Sequence, residues 1–170
     1  MEKKTIVFSA FPGMGKSYCH NECKKNKKFV TLDSDSSKYS WRHAKGEKVR
    51  NGKFPENYIK HIKKNMGKVD IIFVSSHLEV RRALKAAGIR YYVVIPLISR
   101  KKEMLALYKK RGNDKEFIKL LRNEWECWVA AIALQEEEAD VFRLAEETFL
   151  NDMIETLVYN IRRRDYGKGK

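Results

Sequence analysis

Apolar residues fall into two alternating rhythms along this chain. Four short runs of β-formers, Thr5 to Ala10, Phe29 to Leu32, Val69 to Ser75 and Tyr91 to Ile95, have the length and composition of buried strands. Between them the apolar positions switch to helical spacing: Tyr58, Ile59, Ile62 and Met66 follow Pro55, and Leu78, Val80 and Leu84 run up to Gly88. The first strand empties into Phe11-Pro-Gly13, with a helix predicted from Lys16 onward, and the second into the polar stretch Asp33 to Trp41. Residues 42–54 are basic, contain glycine and lack periodicity, so they read as a mobile segment. From Arg100 to Glu138 the pattern is helical and charged with one break at Arg111-Gly-Asn113, which predicts a helical hairpin. A weak fifth strand over Asp140 to Leu144 and a closing helix over Thr148 to Ile161 complete the chain.

Strands alternating with helices predict an α/β domain whose parallel sheet is joined by right-handed crossovers. One domain over residues 1–170 is expected, with 100–138 as a lid-like helical hairpin. Ligands of such sheets bind beyond the carboxyl ends of the strands. The Gly-rich turn, the Asp33-Ser-Asp35 loop and Ser75-Ser-His77 all follow predicted strands, so they are expected to converge on one cleft.

Composition narrows the ligand. Lys and Arg number 36 against 22 Asp and Glu, a formal net charge of +14 that favours anionic partners, phosphates first among them. The same excess would serve a nucleic-acid binder, a reading the sequence admits without favouring it. No apolar run approaches the ~20 residues of a membrane span, so no membrane partner is expected. Three cysteines, without a secretory signal, point to a reducing cytoplasm; Cys19 and Cys23 lack the second pair that a metal site needs. Nothing in the sequence fixes an oligomeric state.

The sharpest motif is Ala10-Phe-Pro-Gly-Met-Gly-Lys-Ser17, a phosphate-binding loop lying between a strand and a helix. Gly13 and Gly15 free the backbone to turn its N–H groups toward phosphate oxygens, and the helix adds its positive end. Phe11, Pro12, Met14 and Tyr18 flank this cradle for ATP. Lys16 is placed to reach the terminal phosphates, and the Ser17 hydroxyl to join a Mg²⁺ shell made mostly of water and phosphate. The motif departs from its pattern at Ala10, where Gly is usual.

On the acceptor side, Asp33 and Asp35 are two apart, a spacing that turns both carboxylates to one side of an extended chain. One could hold the water around Mg²⁺, with Asp33 the choice, while the other positions or deprotonates an attacking hydroxyl. Ser76 and His77 could bind a phosphate or a base edge, and equally could cap the next helix. Arg81 could clamp an acceptor phosphate, and Arg100 and Arg111 flank the first lid helix. Trp41, isolated in a polar loop, and neighbouring Tyr39 are candidate stacking surfaces, whereas Trp125, Trp128 and Ile132 have the spacing of a core stripe.

Taken in order, these segments resemble the P-loop nucleoside and nucleotide kinases. The resemblance is nearest to small bacteriophage and prophage proteins described as adenylate-kinase-like or deoxynucleoside monophosphate kinases. It is carried by Phe11 to Ser17, Leu32-Asp-Ser-Asp-Ser-Ser-Lys38, Phe54-Pro-Glu-Asn-Tyr58, Val74-Ser-Ser-His77 and Tyr108-Lys-Lys-Arg-Gly-Asn113, and spans about residues 5–130. It implies a three-layer fold with a five-stranded parallel sheet in the order 2-3-1-4-5, a helical lid between the fourth and fifth strands, and Mg-ATP as donor. By position it assigns Lys16 and Ser17 to ATP and Mg²⁺, Asp33 and Asp35 to acceptor or metal, and Arg100 or Arg111 to the lid. It implies phosphoryl transfer to a nucleoside monophosphate. A kinase of another hydroxyl, including a polynucleotide 5′-end, a nucleoside triphosphatase and a simple nucleotide binder stay open beside it. The Asp-Gly-Phe-Pro-Arg segment of adenylate kinases is replaced here by Ser75-Ser-His77, so the acceptor pocket does not carry over.

Overall fold

In the computed structural model, residues 4–44 and 46–167 are described; the three residues preceding Lys4 lie outside that range. Five parallel strands form the central sheet: β1 (Ile6–Ala10), β2 (Thr31–Asp33), β5 (Ile71–Ser75), β6 (Tyr92–Pro96) and β7 (Val141–Leu144). Between β2 and β5 lies a separate antiparallel hairpin, β3 (Trp41–Ala44) and β4 (Glu47–Arg50). The helices are α1 (Lys16–Asn26), a single turn α2 (Ser37–Ser40), α3 (Glu56–Asn65), α4 (Leu78–Ala86), α5 (Lys101–Lys110), α6 (Lys115–Leu134) and α7 (Leu150–Gly167).

The sheet runs β2-β5-β1-β6-β7. Numbered along the whole chain this departs from the expected 2-3-1-4-5, because the β3–β4 hairpin takes two places in the count. Among themselves the five parallel strands run second, third, first, fourth, fifth. The central position of β1 follows from its sequence: all five residues are buried, so both neighbours and both faces must be covered. It pairs with β5 from Ile6↔Ile71 to Ala10↔Ser75 and with β6 from Phe8↔Tyr92 to Ala10↔Val94. This register ends β1 and β5 side by side, which brings the loop after Ala10 next to Ser76 and His77.

Right-handed crossovers put the helix of the step from β1 to β2 on one face and those of the opposite steps on the other. The contacts agree, α1 packing with α7 and α3 with α4. Buried apolar residues from β1, β5, β6, β7 and the flanking helices form one cluster, including Phe8, Phe73, Ile95, Trp125 and Ile154, with the partly buried Leu32 of β2 packed against it.

Two expectations are corrected. The stretch 42–54 is folded: β3 and β4 pair from Trp41↔Arg50 to Ala44↔Glu47, and Gly46 supplies the positive φ of 81° that the reversal needs. Its apolar content is too low for a strand to be read from periodicity, since both faces are largely wet. The hairpin α5–α6 is a helical pair as expected, but it is fastened to the core rather than free-standing. Arg100 is fully buried, Met104 and Tyr108 are buried on α5, and Trp125 on α6 donates its Nε1–H to the Ile98 carbonyl at 2.8 Å.

Candidate functional site

The loop between β1 and α1 is built as its sequence requires. Gly13 and Gly15 take φ of 81° and 89°, the left-handed region that a side chain disfavours. Gly15 is the N-cap of α1, with no side-chain cap and no acidic residue in the first turn, which leaves the helix end free for an anion. Gly13 is required twice over. A Cβ there would lie 2.8 Å from Met104 Cε and 2.9 Å from Tyr108 Oη, because α5 lies directly against the loop. Tyr108 donates its hydroxyl to the Pro12 carbonyl, and Leu150 N donates to the Met14 carbonyl at 3.0 Å, so the loop is held from two sides.

Phe11 and Met14 therefore serve the core. Both are buried, and Phe11 meets Trp125 edge-on at 5.6 Å. From Met14 only the backbone can face a ligand, whereas Phe11 also lines a cavity beside Pro12 and His77. Tyr18 lies on the exposed side of α1 and Pro12 is half-buried.

The half-buried Lys16 ammonium donates to the Ala10 carbonyl at 2.6 Å. Desolvation pulls its pKa from 10.5 down to about 8, partly opposed by Asp33 and Asp35, and Arg111 pushes it down further. The carboxylates and Arg111 therefore share one electrostatic neighbourhood with Lys16. One residue along, the Ser17 hydroxyl donates to Asp33 Oδ2 at 2.5 Å. These two oxygens are the pair expected to serve Mg²⁺. Among the described residues no three His, Cys, Asp or Glu side chains converge as a metal cage. The donor set suits a hard cation that keeps most of its shell as water and phosphate.

Asp35 turns back on its own loop, accepting from Ser37 N at 2.9 Å and Ser37 Oγ at 2.8 Å as it opens α2. It is exposed, so its outer lone pairs remain open to a substrate. Between the aspartates Ser34 is buried, with its carbonyl accepting from the Tyr58 hydroxyl; its Oγ has no hydrogen-bond partner among the described residues. Ser36 Oγ donates to Ser75 Oγ at 3.1 Å, which ties the aspartate loop to the end of β5. His77 occupies the N-cap of α4 without a side-chain cap, its Nδ1 3.4 Å from Ser75 Oγ. Its pKa is lowered by partial desolvation, then by Lys16 and Arg50. Beside Pro12 and His77 a cavity of about 390 Å³ opens toward Phe117, Trp128 and Ile132 of α6.

Several other expected site residues are engaged inside the protein, Arg81 and Ser76 within the wall of that same cavity. Arg81 is buried with Glu136 and bonded to it, and it also donates to the Ser76 carbonyl at 3.0 Å and Gln135 Oε1 at 2.7 Å. Ser76 is buried beneath it. Arg100 gives its donors to Glu103 and to the carbonyls of Leu144 and Thr148, with the Phe149 ring 5.1 Å away. Both arginines are structural anchors, because their donors are already satisfied inside the protein. The Tyr39 ring makes tilted contacts with Tyr58 at 5.2 Å and His61 at 4.9 Å, whereas Trp41 stands on the hairpin, 41% exposed. Sequence reasoning missed Tyr108, Phe149 and Arg50. Met104 and Tyr108 stand four apart on α5, a spacing that marks a buried face but not what it faces. Arg50 had no local signal to separate it from its basic neighbours.

No family model and no curated protein matches this chain. The functional reading rests on the geometry above.

Proposed function

We propose that this chain is a P-loop phosphotransferase that moves the terminal phosphoryl group of ATP, with Mg²⁺, to a small nucleotide acceptor, a nucleoside monophosphate by preference. One observation carries the reading: an uncapped helix end bearing Lys16 and Ser17, with Ser17 hydrogen-bonded to Asp33 at the adjoining strand end. Transfer of a phosphoryl group demands little covalent chemistry and much charge stabilisation and positioning. The loop's backbone and Lys16 would bind the β- and γ-phosphates. Ser17 and Asp33 would hold Mg²⁺, which when bound neutralises charge developing on the phosphate oxygens.

Asp35, exposed at the same cleft, would orient the acceptor. Arg111, at the end of α5, would reach the transferring group from the turn between the two lid helices. The cavity beside His77 is lined mainly by apolar side chains, with Ser76, His77, Arg81 and Gln135 among them, a lining suited to a nucleobase.

The test is ATP-dependent phosphorylation across a panel of nucleosides and nucleoside monophosphates. Lys16→Ala is expected to abolish transfer, and full turnover by that variant would overturn the reading. Asp35→Asn should lower kcat far more than it weakens ATP binding. A loss confined to ATP affinity would make Asp35 a donor-side residue instead.

A further inference from the structure

We propose that this protein binds single-stranded nucleic acid along a track formed by the β3–β4 hairpin and the groove between α3 and α4. This goes beyond nucleotide phosphoryl transfer and does not depend on it. The hairpin register places Trp41 opposite Arg50 and His43 opposite Lys48, so all four side chains project from one face. Lys48 Nζ lies 5.2 Å and the Arg50 guanidinium 5.6 Å from the centre of the Trp41 ring. An exposed aromatic ring flanked by cations offers a base a stacking surface and its phosphates a charge partner.

The track continues from there. Arg50 also packs over the Phe54 ring at 4.8 Å and pairs with Glu79 of α4. Glu79 lines a groove of about 960 Å³ between α3 and α4, which begins at Pro55, next to Phe54. The groove wall is apolar at Ile59 and the Ala83–Ala87 side, and carries Lys60, Lys63 and Arg82 against only Glu56 and Glu79. Those three cations are exposed. Charge complementarity selects a polyanion, and the aromatic and apolar surfaces select one whose bases are free to leave a duplex. A single nucleotide would fill one end of this surface; a strand can use its length.

The direct measurement is fluorescence anisotropy of labelled oligothymidylate, about twelve nucleotides long, titrated with the whole protein over a series of salt concentrations. If about four phosphates are neutralised, log affinity should fall with log salt at a slope of about −3. Trp41→Ala should weaken binding about tenfold at constant salt, with much of it restored by Trp41→Phe, since stacking needs a ring. Lys60→Glu combined with Lys63→Glu should weaken binding and flatten the slope by about 1 to 2. Three results would each overturn the proposal: an affinity indifferent to Trp41→Ala, equal binding to a blunt duplex, or displacement by polyglutamate at the same charge concentration. The first two deny a single-strand track, and the third reduces the surface to an undiscriminating basic face. None of these measurements involves phosphoryl transfer, so failure here leaves the kinase reading standing, and a catalytically dead enzyme leaves this proposal standing.

Discussion

Lys16 shows how a residue can work against its own fold. Its cationic form is disfavoured by burial and only partly supported by Asp33 and Asp35, so below pH 8 the folded chain carries a charge that the unfolded chain hydrates better. Because the folded pKa lies below the unfolded one, this penalty is fully present below about pH 8 and is relieved as pH rises from 8 toward 10.5. Lys16→Met should therefore leave the melting temperature at pH 7 unchanged or raised while abolishing triphosphate binding. A clear fall in thermal stability would mean that the ammonium is structurally required. Bound phosphate should restore the charge. Affinity for ATP is thus expected to decline as pH rises above about 8, and calorimetry at pH 8.5 in buffers of different ionisation enthalpy should report proton uptake on binding. Gly13 is the other residue that the fold leaves no choice about. Gly13→Ala combines a positive φ with contacts under 3 Å from Met104 and Tyr108, and should lower stability to urea by about 1–3 kcal/mol.

At the scale of elements, the turn that follows α6 closes onto α4 through a buried ion pair. Arg81 and Glu136 have side chains only 3% and 6% exposed, and Tyr91 donates its hydroxyl to the same carboxylate at 2.9 Å. Lys85 also reaches that carboxylate, its Nζ 2.9 Å from Glu136 Oε2, so removing Arg81 leaves Glu136 with one half-exposed ammonium and the Tyr91 hydroxyl. Arg81→Ala should therefore lower stability to urea by about 1–3 kcal/mol through the lost charge-assisted hydrogen bonds, still more than an exposed, ligand-binding arginine would give. An acceptor role for Arg81 would instead leave stability nearly intact and raise KM.

For the molecule as a whole, the attachment of α5 and α6 limits what can close. Buried Arg100, Tyr108 bonded to Pro12 and Trp125 bonded to Ile98 hold both helices along their length. The turn between them, from Arg111 to Asp114, is exposed and carries the arginine that Lys16 feels. Hydrogen exchange with and without ATP and Mg²⁺ is expected to show added protection in residues 11–17 and 111–114, with the helix interiors slow in both states. Uniform gain across residues 101–134 would indicate instead a lid that swings as a body.

Local chemistry was enough to read the parallel strands and the glycine turn between β1 and α1. A run buried on both faces must be apolar throughout, and a turn that enters a helix through two positive φ angles needs glycine at both, so Ile6 to Ala10 and Gly13 to Ser17 are legible one window at a time. The same holds for the bend at Gly112, where the chain needs a positive φ. What required the tertiary structure was the partner of each polar side chain. Arg81, Arg100 and Arg111 are alike in sequence, yet the fold supplies Glu136, 55 residues away, to the first and the carbonyls of Leu144 and Thr148, 44 and 48 residues away, to the second, and leaves the third exposed within the electrostatic reach of Lys16. The hairpin from Trp41 to Arg50 was hidden for a related reason. Its order comes from cross-strand pairing and cation–ring contacts rather than from a buried apolar face, and such pairing has no signature in a one-dimensional hydrophobic pattern.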